Sequence, residues 1–140
     1  MSIFKRILKR SEDSDDTPEA FREMKWGLAS PLMLRLAGGI ASIRAFGAFS
    51  CRVTDAGKLR KEGCDIEDEN SVALFKPYLA NLLVSSFKDV LGRESSSMSM
   101  EELISGVDKL SQAVKEEAAP LFSEKGLELL GVLVMRVVKI

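Results

Sequence analysis

The stretch Ile43–Thr54, IRAFGAFSCRVT, decides the fold. Its odd positions are Ile43, Ala45, Gly47, Phe49, Cys51 and Val53; its even positions are Arg44, Phe46, Ala48, Ser50, Arg52 and Thr54. Side chains point to alternate faces along a strand, so this spacing gives one apolar face and one mostly polar face. A helix would scatter both sets around its circumference. Phe46 interrupts the polar set, and a large aromatic there is expected to lie against a neighbouring element rather than in open water.

Upstream, Gly38-Gly39 reads as a turn after the loosely alternating Leu32–Leu36, and Phe21–Gly27 is a short mixed segment, so strands extend over 20–53. Downstream the period changes. Asp55 is placed to cap a short helical turn reaching about Glu62, with Gly63 as its stop. Val72, Phe75, Leu79, Leu83, Phe87 and Val90 then recur at spacings of three and four, which forms the stripe of an amphipathic helix. Pro77 lies within that stripe, so the helix either begins near it or kinks there. Ser99 and Glu102 have capping-box spacing, and Met100, Leu103, Val107, Leu110, Val114 and Phe122 carry a second apolar face. Pro120 is expected to bend or restart that helix, and Gly126 to end it. The closing LELLGVLVMRVVKI (127–140) is apolar on both faces, as suits a strand covered on both sides. Strands, then helices, then a returning strand predict an α+β domain: a small antiparallel or mixed sheet, two main helices packed on one face, and a C-terminal returning strand.

Bulk properties exclude several functions. Twenty basic residues against 21 acidic ones leave a net charge of −1, whereas a nucleic-acid partner demands a clustered cationic surplus. No apolar run reaches the roughly 18–20 residues of a membrane span, and no secretory core follows the first cations. Cys51 and Cys64 are too few for a disulfide scaffold, and the chain reads as cytosolic with reduced thiols. A Cys51–Cys64 bridge stays open as an alternative, because its geometry is not written in sequence. The absence of histidine removes the usual general base, the commonest metal ligand, and every Ser–His or Cys–His pair. No GxxxxGK[ST] loop occurs, and no GxGxxG follows a strand. Asp65, Glu67, Asp68 and Glu69 lack the order of a calcium loop and read as a solvated acidic turn. Nothing selects a catalytic set, a cofactor, a metal site or a small-molecule substrate. The chain is expected to act by binding.

The N-terminus carries its own signal. In MSIFKRILKR, Ile3, Phe4, Ile7 and Leu8 fall on one side of a helix, and Lys5, Arg6, Lys9 and Arg10 fill the remainder. Such a segment suits an anionic membrane surface, with its apolar side in the interface and its cations at the headgroups. A frayed basic tail, or a short helix docked on its own domain, is the plainer alternative. Ser11–Asp16, SEDSDD, reads as a solvated acidic linker. The expected division is therefore 1–17, a basic amphipathic segment with its linker, and 18–140, the α+β domain.

Three stretches together resemble a known family. FREMKWGLASPLMLR (21–35) and IRAFGAFSCRVTD (43–55) are similar to the central strands of SPFH-domain proteins, the stomatin, prohibitin, flotillin and HflK/HflC group. The nearest likeness is to the bacterial virion-core-like, YdjI-type branch. It rests on Lys25-Trp26-Gly27, Ser30-Pro31, Arg44-Ala45-Phe46-Gly47 and Arg52-Val53-Thr54-Asp55, with looser support from LANLLVSSFKDVLG (79–92) and Gly126-Leu127-Glu128-Leu129. The resemblance implies a non-enzymatic scaffold that assembles on membranes and recruits other proteins, with no catalytic residues to carry over. Related chains have a β-rich region before the Lys-Trp-Gly element, and many continue into a coiled coil. Their absence here implies a partial sheet whose edge needs a cover or a partner strand.

The favoured expectation is a cytoplasmic protein, peripheral on the inner face of the membrane, pairing with itself or with a full-length SPFH relative. A soluble adaptor that binds a protein partner without lipid contact is the alternative. A small carboxylate-dependent enzyme is the remote third.

Overall fold

The computed structural model describes residues 17–140. Three strands precede the helices: β1 (Met24–Gly27), β2 (Leu32–Leu36) and β3 (Gly39–Val53). Helices α1 (Ala56–Lys61), α2 (Glu69–Glu94), α3 (Met100–Ser105) and α4 (Val107–Ser123) follow, and β4 (Leu127–Lys139) closes the order. Every pairing is antiparallel, with β3 as the axis. Along one edge of β3 lie β2, from Leu32↔Ile43 to Leu36↔Gly39, and then β1, from Gly27↔Phe46 to Met24↔Phe49. Along the other edge runs β4, from Ile43↔Lys139 to Val53↔Leu127. This is the expected α+β class.

Local chemistry explains where the helices begin and end. The Asp55 carboxylate accepts from the Lys58 N–H and caps α1, and the Asp68 carboxylate does the same for α2 through Asn70. Helix α2 continues across Pro77 rather than starting beside it. The ring sits on the exposed side, where water can satisfy the carbonyl that Pro77 leaves without a donor. Ser99 and Glu102 form the reciprocal capping box. The single helix expected after it is two, because Gly106 closes α3 by donating to the Glu102 carbonyl and α4 starts anew. Helix α4 passes Pro120 without restarting. Gly126, at φ +85°, then reverses the chain into β4, and its carbonyl accepts from both Thr54 N–H and Asp55 N–H.

The helices cover one face of the sheet. Trp26 meets Phe87 of α2 at 5.0 Å between ring centroids, and Phe49 meets Phe122 of α4 edge-on at 6.0 Å. Trp26 reaches under Gly47, its cross-strand neighbour, to donate from Nε1 to the Leu133 carbonyl at 3.3 Å. A Cβ on Gly47 would overlap that carbonyl and lie 2.7 Å from Trp26 Nε1. Only glycine fits. Cys51 and Cys64 are both buried and free, so the bridge left open by the sequence is not formed. Burial, with Cys64 adding to it, pushes the Cys51 thiol up to about 12.

Two expectations need correction. Strand β4 is covered on one face only: helices pack behind it, while Leu133, Met135 and Val138 remain exposed in front. A run of apolar residues signals burial of both faces only when a second layer exists, and here none lies in front among the described residues. For the same reason Phe46 rests against no covering element among the described residues and is 47% exposed. The outer edge of β4 has its own protection. Register shifts opposite Phe46/Gly47 and Ser50/Cys51 introduce bulges, and the Val134 N–H is taken by the Ser111 hydroxyl of α4 at 2.8 Å. Bulges and a capped amide are devices that discourage strand addition at an edge.

Candidate interaction face

The even positions of β3 and their cross-strand partners make the bare face. Arg44 pairs with Val138, Phe46 with Gly27 and Arg136, and Ala48 with Lys25 and Leu133. Directly opposed residues share a face. Apolar and cationic side chains therefore alternate across three strands, and Met33 and Arg35 of β2 continue the pattern. Exposure is large for the apolar members: Met33 67%, Leu133 49% and Val138 37%, beside Phe46. Several large apolar side chains left exposed together on one face mark an interaction surface.

The charge on this face is one-sided. Lys25, Arg35, Arg44, Arg52 and Arg136 point out of it against Glu128 and, at its rim, Glu23, which lines a depression with Ala48, Ser50 and Leu133. Glu128 is held by Arg52, at 2.6 Å from the guanidinium. No ion pair ties Lys25, Arg35, Arg44 or Arg136 to an acid among the described residues. Exposed acids such as Asp89, Glu94, Glu101 and Glu116 lie on the helices, behind the sheet.

The other candidate residues have structural partners. Asp65 accepts from the Glu67 N–H in a turn and stands 3.8 Å from Arg60, while Asp68 caps α2. A depression of about 460 Å³ lies between the first turn of α2 and Pro18–Ala20, with Glu19, Glu67 and Glu69 on an exposed rim. Among the described residues no three His, Cys, Asp or Glu side chains gather to hold a metal ion. The eight N-terminal candidates, Ile3 to Arg10, lie outside the described residues.

The described residues form an α+β domain with helices behind its sheet and an open apolar, cationic face in front. The chain belongs to the SPFH domain–Band 7 family, whose model matches residues 17–139. No curated protein is matched. SPFH-domain proteins are in general membrane-associated, non-catalytic scaffolds. No helix among the described residues is long and apolar enough to cross a membrane.

The residues that carry the resemblance divide between the two faces: Lys25, Arg44, Phe46 and Arg52 lie on the bare face, and others hold the fold. Trp26 and Gly47 interlock, and Thr54 and Asp55 grip Gly126. Met33, Leu133, Arg136 and Val138 escaped sequence reasoning. The two bulges in β4 each insert one residue and reset its alternation, which hides the exposed set within an apolar run.

Proposed function

We propose that this protein is a non-catalytic, membrane-peripheral scaffold that acts by self-association and by recruiting partners. Residues 1–17 serve as an amphipathic lipid anchor with an acidic linker, and 18–140 serve as the platform. The observation that carries the reading is the open sheet face, with exposed Phe46 and Leu133 set beside Arg44 and Arg136, which no acid among the described residues pairs, in a chain of the SPFH family. The likeness to the virion-core-like branch, and a position on the inner face of the membrane, fit this reading. A soluble adaptor is the second reading, since the same apolar patch would suit a protein partner.

Co-sedimentation of the full chain with anionic vesicles tests the membrane part. Retention is expected, and Ile7→Asp with Leu8→Asp should weaken it by removing apolar contact from the anchor. Light scattering at rising concentration tests self-association, with a growing mass expected. A chain that stays in the supernatant as a monomer contradicts the proposal and leaves the adaptor.

A further inference from the structure

We infer that the open sheet face is itself a lipid-contacting surface, which lies on an anionic leaflet with Phe46, Leu133 and Val138 at the acyl boundary and Lys25, Arg44 and Arg136 at the phosphates. The inference rests on the membrane-peripheral reading and adds a second contact, on the folded domain, apart from residues 1–10.

Three observations favour a bilayer over other occupants. Five cations face outward against Glu128 and the rim residue Glu23, although the whole chain is net −1, so positive charge is in excess on this face. The cations are interleaved with apolar side chains rather than segregated from them: Arg44 stands opposite Val138, and Arg136 opposite Phe46. Long basic side chains beside apolar neighbours can place their stems in the interface and their heads among phosphates, which is how proteins sit in a headgroup layer. A second copy stacked face to face would bring two like-charged surfaces together, which is repulsive at short range. Pairing through the β4 edge meets the bulges and the Ser111 cap instead. The acids of α2, α3 and α4 lie on the opposite side, so an anionic surface would also orient the domain with its helices toward water.

The test uses full-length chains and vesicles of phosphatidylglycerol mixed with phosphatidylcholine, against phosphatidylcholine alone. Arg44→Gln with Arg136→Gln should weaken binding to the anionic vesicles on the order of thirty-fold, the loss of two interfacial cations. Lys88→Gln with Lys109→Gln removes the same charge from the exposed helical side and should leave binding within about two-fold. Phe46→Ser with Leu133→Ser should also weaken it. Emission from buried Trp26 checks that each variant is folded. Equal losses from both charge pairs would overturn the inference, because net charge alone would then explain binding. Full retention by the arginine variant, with loss on Ile7→Asp and Leu8→Asp, would overturn it while leaving the membrane reading intact. If the unaltered chain binds neither vesicle, both fall and an acidic protein partner takes the place of lipid.

Discussion

The two faces of β3 come from one strand and meet opposite surroundings. Ile43, Ala45, Phe49 and Cys51 look toward α2 and α4 and are almost wholly buried. Arg44, Phe46, Ala48 and Arg52 look the other way and meet no second layer among the described residues. The covered face is fixed by shape: an aromatic pair on each main helix, a glycine slot beneath Trp26, and a thiol held neutral. The bare face is fixed by charge and alternation, with no packing to maintain. Stability should therefore depend on the first face and binding on the second.

Substitutions on each face can break that division. The largest effect is expected from Phe87→Ala, which removes a fully buried ring from beneath Trp26 and should cost about 3–5 kcal/mol in urea unfolding. Gly47→Ala comes next. Its Cβ displaces the Leu133 carbonyl or the Trp26 indole, and a loss of about 2–3 kcal/mol is expected, with a changed Trp26 emission spectrum. A smaller and pH-dependent effect belongs to Cys51. Its folded thiol ionises only near 12, against 9.0 for an ordinary thiol, so the native chain keeps a proton that the unfolded chain gives up. The contribution of Cys51 is complete below pH 9.0 and falls as pH rises toward 12, and Cys51→Ala should flatten that fall in unfolding curves. Smallest of all, Phe46→Ser should change stability by no more than about 0.5 kcal/mol, since the ring leaves no cavity behind. A loss near 3 kcal/mol there would mean that the face is packed.

Much of the covered side was legible in the sequence because its rules are local. The alternation of 43–54, the caps at Asp55 and Ser99, and the stripe from Val72 to Val90 each follow from a short-range period or a single side-chain bond. Gly106 escaped because the apolar stripe continues across it, and only the hydrogen bond to Glu102 shows that the first helix closes there. The bare face was harder to see. Phe46 and β4 both looked buried, since apolar character reports affinity for a covering layer and not its presence. The helices were expected on one face of the sheet, yet the apolar run of β4 was still read as covered on both. The residues of the family resemblance fall on both sides: Trp26, Gly47 and Asp55 work within the covered side and its turns, while Lys25, Arg44, Phe46 and Arg52 lie on the bare face.

Fluorescence of Phe46→Trp in the full chain, with phosphatidylglycerol-containing vesicles, tests the division most directly. The account predicts a blue-shifted emission and protection from an aqueous quencher on binding, while a tryptophan placed at Lys88, on the helical side, keeps its water-exposed spectrum. Bound protein in which the Phe46→Trp signal stays quenchable, or in which the Lys88→Trp signal shifts instead, would contradict it.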